Sequence, residues 1–132
     1  MTHWIAWIRR AGAAFVLAAS LPAVTAPAIA AGAPTFESVW QTVNAKPNIK
    51  VIDEPRDVRI EVPDEQAIYF FTRPGQPEYP GVIKRAVVKV ANGLAVQSEG
   101  HCFGDAAAQA AFGILLAKFK AQDAAIGDKM RN

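Results

Sequence analysis

Apolar residues recur at two different periods along this chain, and the change of period divides it into elements. In TFESVWQTVNAK, Phe36, Val39, Trp40 and Val43 fall at i, i+3, i+4 and i+7, the spacing that lines one face of a helix. Thr35 stands where an N-cap is wanted and Pro47 closes the segment, so a helix is expected over residues 35–45. From Arg56 the period drops to two. Val58, Ile60 and Val62 alternate with Asp57, Arg59 and Glu61, the pattern of a half-buried strand. After a turn at Pro63-Asp64-Glu65, QAIYFFT opposes Ile68 and Phe70 to Tyr69 and Phe71. A strand apolar on both faces belongs at the centre of a sheet. Asn48 to Pro55 fits either a short strand or a connection.

Two further alternating runs, VIKRAVVKV and LAVQSEGHCF, flank Ala91-Asn92-Gly93, a hairpin signal. A three-residue loop with Gly93 as a left-handed bulge pairs Val90 with Leu94, Val88 with Val96 and Ala86 with Ser98. It sets Val87 against Gln97 and Arg85 against Glu99 on the other face. A slip of one residue exchanges the faces, so apolar matching selects this register, which sends Cys102 inward and His101 outward. Asp105 is an N-cap residue for a long helix whose stripe is Ala108, Phe112, Leu115 and Phe119, with Ala111 and Ile114 beside it, and Gly127 fits its C-terminal cap. The order implies an α+β fold: a two-layer sandwich of a three- to four-stranded antiparallel sheet, with an N-terminal and a C-terminal helix packed on one face. Tyr69, Phe71, Ile83 and Val87 would then lie on the uncovered face.

The beginning of the chain differs in kind from this pattern. Arg9 and Arg10 precede AGAAFVLAASLPAVTAPAIA, which carries no charge and ends in Ala28-Ile29-Ala30. That is the layout of a secretory signal peptide cleaved near Ala30–Ala31; Pro22, Pro27 and the many alanines make it a weak membrane anchor. The paired arginines lack the bulky apolar residue and lysine of the usual twin-arginine signal, which favours the general secretory route, and no cysteine follows the apolar run to carry a lipid. A single domain over residues 31–132, periplasmic or secreted, is expected.

Export changes the charge argument. Of 14 basic side chains Arg9 and Arg10 leave with the signal, so 12 face the 12 acidic ones. Zero formal charge gives no global attraction to nucleic acid or anionic lipid. Cys102 is the only cysteine; it stays free or pairs between chains, and packing must replace the disulfides common in small exported domains.

Glu99-Gly100-His101-Cys102 is the one stretch with the residue types of catalysis. A cysteine nucleophile needs a base within reach of its sulfur, but neighbours on a strand point to opposite faces, which argues against a Cys102–His101 pair. Glu99 and His101 share a face and could begin a metal site, with Asp105 or Glu78 as a third ligand. No nucleophile elbow and no phosphate-binding glycine loop is present. No cofactor is called for.

The segment RPGQPEYPG, residues 73–81, interrupts two strands. Pro74-Gly75 and Pro80-Gly81 each fit a type II turn, with residues 76–79 extended between them. Such a loop holds two strands at a fixed angle. It also loses little entropy on binding, and Tyr79 beside an open face carrying Tyr69 and Phe71 would make an aromatic patch. The run YFFTRPGQPEYPGVIKR resembles a Tyr-x-Phe-Thr-x-Pro-Gly-x-Pro…Pro-x-x-x-Lys-Arg pattern of small, mostly uncharacterised exported proteins of Gram-negative bacteria. Those proteins often carry histidine where Gln76 or Tyr79 stands here. The resemblance covers residues 69–85 and implies a periplasmic home without an activity.

The expectation is therefore a non-enzymatic exported domain that binds another protein or a small ligand through Tyr69, Phe71, Arg73, Pro77, Tyr79 and His101, with homodimerisation as a further option. The alternatives are a small hydrolase or metal-dependent enzyme centred on His101, and an inhibitor that presents the proline loop to an envelope enzyme.

Overall fold

The computed structural model describes residues 33–131; the expected signal peptide over residues 1–30 lies outside the described residues. Helix α1 (Phe36–Asn44) leads into strands β1 (Lys50–Asp53), β2 (Asp57–Val62), β3 (Ala67–Thr72), β4 (Gly81–Val90) and β5 (Gly93–Cys102), and helix α2 (Ala106–Arg131) follows. All neighbouring strands are antiparallel and lie in the order β1-β2-β3-β4-β5. The α+β class stands, with five strands instead of three or four, because Lys50–Asp53 pairs with Val58–Glu61 as a short edge.

Thr35 caps α1 in a reciprocal box with Ser38, each side chain taking the other's backbone N–H, which satisfies two of the orphan donors at the helix start. Val39 and Val43 are buried, and Phe36 and Trp40 set their rings edge-on against Phe71 at 5.8 and 5.0 Å. In α2, Asp105 accepts from the Ala108 N–H as its cap, and Phe119 meets Phe70 at 4.8 Å. Phe70 and Phe71 are neighbours on one strand and so point to opposite faces. The helices accordingly cover opposite faces, and the expected two-layer packing on one face gives way to helix, sheet, helix. The physical reason lies in β3 itself: a strand apolar on both sides needs a layer on each.

Two cores result. Val39, Val43, Ile60, Val62, Tyr69, Phe71 and Val82 fill the α1 side; Ile83, Cys102, Ala108 and Phe112 fill the α2 side. Tyr69 and Phe71 are 0% and 1% exposed, so the uncovered aromatic face does not exist, and Ile83 lies across from Phe70 and not with Phe71. Phe112 sits on the glycines of β4 and β5: a Cβ at Gly81 or Gly100 would come within 2.6 or 2.7 Å of its ring.

The hairpin also departs from expectation. Ala91 and Asn92 form the turn and Gly93, at φ +123°, already pairs with Val90. Val87 thus faces Val96, Arg85 faces Ser98 and Lys84 faces Glu99, one residue from the register that apolar matching selects. That choice presumed a single buried face; with both faces covered, pairing Arg85 with Ser98 gives the buried guanidinium its partners. Cys102 is buried as expected. Helix α2 runs through Gly127 to Arg131 and is not capped there. Among the described residues no helix is long and apolar enough to cross a membrane.

Candidate functional site

The proline loop is tied down along its length. Arg73 donates Nε–H to the Glu54 carbonyl at 2.8 Å and pairs with Asp53. The Gln76 N–H reaches the Arg73 carbonyl across Pro74-Gly75, with Gly75 at φ +93°, the positive angle a type II turn requires at that position. A second turn closes from the Tyr79 N–H to the Gln76 carbonyl, so residues 76–79 are folded and not extended. Gly81 enters β4 without a positive φ, and the Tyr79–Pro80 peptide is cis. Glu78 is 5% exposed with its carboxylate 3.6 Å from Arg56, and the half-buried Tyr79 ring meets Phe36 edge-on at 5.5 Å. Only Pro74, Gly75 and Pro77 are exposed in residues 73–80. Of the six expected contact residues, then, Tyr69 and Phe71 are core, Arg73 and Tyr79 are anchors, and Pro77 alone faces solvent fully.

His101 projects from β5 to the α1 side, half-buried, its ring 4.5 Å from Phe103. Burial pushes its imidazole below the ordinary value, which keeps it neutral at pH 7. Cys102 points to the other face and donates its thiol to the Glu78 carbonyl at 3.8 Å, so the two side chains form no dyad. Glu99 shares the His101 face, but Asp105 serves as a helix cap and Glu78 lies against Arg56. Among the described residues no group of three or more His, Cys, Asp and Glu could hold a metal ion.

On the α1 side Tyr69 donates its hydroxyl to Glu65 at 2.7 Å, while Lys46 pairs with the same carboxylate and Lys84 approaches it to 3.7 Å. Burial works to raise the Glu65 pKa, but the hydrogen bonds from Lys46 and Tyr69 outweigh it and hold the carboxyl below its usual range. Burial and the Glu65 bond push the Tyr69 phenol far up, so it stays a donor. A depressed carboxylate stabilises the fold above its unfolded value and loses that contribution as pH falls through the folded one. Glu65→Gln is therefore expected to lower the thermal midpoint at pH 7, and the gap to the native protein should narrow as the pH falls below the ordinary carboxylate range. Melting curves at pH 7 and pH 3.5 check this; an equal gap at both would show that ionised Glu65 is not what the network supplies.

The most distinctive polar group lies on the α2 side and was not legible in the sequence. Arg85 of β4 donates Nε–H to Asp123 Oδ1 at 2.7 Å, and its Nη2 reaches the Phe119 carbonyl at 3.0 Å and Gln122 Oε1 at 3.1 Å. Ser98 donates to the same Asp123 oxygen at 2.9 Å. The guanidinium lies 4.7 Å from the Phe119 ring centre, within cation–π range. The side chains of Arg85 and Asp123 are 15% and 7% exposed. The expected Arg85–Glu99 pair is replaced by this one, joining residues 38 positions apart. The only hint in the sequence was an Asp in the inward stripe of a helix.

Beside this network a cleft of about 450 Å³ opens between β5 and α2, lined by residues 96–99 and by Lys120, Asp123 and Ala124. Lys120, Asp123 and Ala124 fall at i, i+3 and i+4 and share one helix face. Four consecutive strand residues line the cleft, with Gln97 exposed and Ser98 buried. No family model matches the chain, and no curated protein or solved structure matches it either.

Proposed function

We propose that this chain is an exported, non-enzymatic binding domain whose recognition site is the cleft between β5 and α2. The observation that carries the reading is the cleft with its rigid floor: Arg85, Ser98 and Asp123 lock helix to sheet beneath it, and a preorganised site loses little entropy on binding. The burial of Tyr69 and Phe71 and the anchoring of the proline loop move recognition away from residues 73–81, which serve as a strut between β3 and β4. The signal-like residues 1–30 and the resemblance over residues 69–85 support export to the periplasm.

A photoreactive residue placed in turn at Ala124 in the cleft, Pro77 on the loop and Val51 on the opposite edge tests this in the exported protein. Irradiation in cells should trap an adduct from Ala124 and none from Val51. An adduct from Pro77 alone would return recognition to the loop, and the absence of any adduct from Ala124 would overturn the reading. The mass of the exported chain should correspond to cleavage near Ala30–Ala31.

A further inference from the structure

We infer that the cleft between β5 and α2 binds a short, unblocked aliphatic peptide as a zwitterion, its carboxylate on Lys120 and its ammonium on Glu99. The inference rests on the binding-domain reading and names the class of ligand.

Part of the polar chemistry around the cleft is spent inside the protein. One carboxylate oxygen of Asp123 accepts from both Arg85 and Ser98, at 2.7 and 2.9 Å, so neither Asp123 nor the Ser98 hydroxyl is left to draw a ligand. Two charges remain. Lys120 stands on the α2 wall and Glu99 on the β5 wall, and neither has an ion-pair partner among the described residues. Lys84 lies across the ladder from Glu99, but the carboxylate it approaches is that of Glu65, at 3.7 Å.

These two charges are opposite in sign, and one bond fixes where they stand. Ser98, which donates to Asp123, directly precedes Glu99, and Lys120 lies three residues before Asp123, close to it on the helix surface. The two walls are pinned at that bond, with an ammonium on one and a carboxylate on the other. A ligand of single charge would answer one of them and crowd the other. A molecule that carries both charges answers both.

The size of the cleft sets the length of that molecule. Its volume of about 450 Å³ falls within the range of small-ligand sites, roughly 300–1,000 Å³. A single amino acid carries its two charges on neighbouring atoms, whereas a dipeptide at about 3.5 Å per residue separates its ends by roughly 7 Å. That reach lets one end meet the helix and the other the strand. Val96 and Ala124 are the apolar lining, small surfaces that suit aliphatic side chains. The exposed Gln97, an amide that both donates and accepts, is the remaining group for the peptide bond.

The test titrates valylalanine into the purified protein and follows the amide NMR signals. Beside it run N-acetylvalylalanine, which lacks the ammonium, and valylalanine amide, which lacks the carboxylate. Valylalanine should shift the Gln97, Glu99, Lys120 and Ala124 amides and bind about threefold or more tightly than either blocked form, the scale of one solvated ion pair. Glu99→Gln should abolish the preference over the acetylated form and keep that over the amide; Lys120→Ala should do the reverse. Neither side chain belongs to a core cluster, so both variants should fold. Equal binding of the three peptides, or a preference that survives both substitutions, would overturn the inference. If no peptide shifts these amides while Ala124 still traps an adduct in cells, or if that adduct is a protein, the ligand class is wrong and the binding reading stands. If no peptide binds and Ala124 traps nothing, both fall.

Discussion

Asp123→Ala is expected to lower the free energy of unfolding by about 3–5 kcal/mol, the range for removing one partner of a buried ion pair. The loss comes from what remains. The Arg85 guanidinium would stay 15% exposed between Phe119 and Phe70 with its carboxylate gone, and Ser98 would lose the acceptor of its hydroxyl. An unpaired buried charge is far more costly than a missing attraction. The pair itself need not be a net stabiliser, since two charges must leave water to form it. Arg85→Met combined with Asp123→Leu should therefore recover most of the loss, to within about 1–2 kcal/mol of the native protein. Urea unfolding of the two single variants and the double variant measures this as a coupling energy. If the double variant is as unstable as Asp123→Ala, the network stabilises by its own interactions and the desolvation argument fails. Either way the crosslink of α2 to β4 and β5 is tested directly, and the proposed cleft lies above it.

The second large effect concerns the ring that joins α2 to the sheet. Phe112→Ala should cost about 3–5 kcal/mol, through lost burial and the cavity left behind. Phe112 is 4% exposed and lies over Gly81 and Gly100, so a side chain on either glycine competes for its space. At Gly100 an added Cβ would also meet the Val82 carbonyl at 3.0 Å and Ile83 Cγ1 at 3.1 Å. These are backbone and packed core atoms that cannot yield cheaply. Gly100→Ala is expected to destabilise by about 1–3 kcal/mol, as overpacking does. In a Phe112→Leu background the smaller side chain makes room, so the penalty of Gly100→Ala should shrink, and equal penalties in both backgrounds would place its cause elsewhere. Thermal and urea unfolding read both.

The sequence determined the local elements of this protein. The period of apolar residues located α1 within a residue at each end, Thr35 and Asp105 were named as caps and act as caps, and alternation marked β2 and β3. Those features depend on residues within a turn or two of one another, where spacing alone decides. The buried Cys102 followed from the same alternation. The two-sided apolar character of β3 even implied a covering layer on each face, a consequence that the assignment of both helices to one face overlooked.

Only the tertiary structure decided the rest. Whether Lys50–Asp53 joins the sheet depends on its pairing with β2, and the hairpin register depends on what covers each face, because a slip of one residue is resolved by burial on both sides and not by matching on one. Tyr69 reads as an exposed aromatic or a core one according to where α1 lands. The loop at residues 73–81 reads as a recognition surface until Arg56, Glu54 and Phe36, each distant in sequence, are seen to anchor it. The same holds for the site. Arg85, Ser98 and Asp123 carry no motif, and the cleft beside them exists because an edge strand and a helix face were brought together by packing. Local periodicity encodes which face of each element is apolar; which faces meet is settled by long-range contacts whose entropy is met only once the whole core has formed.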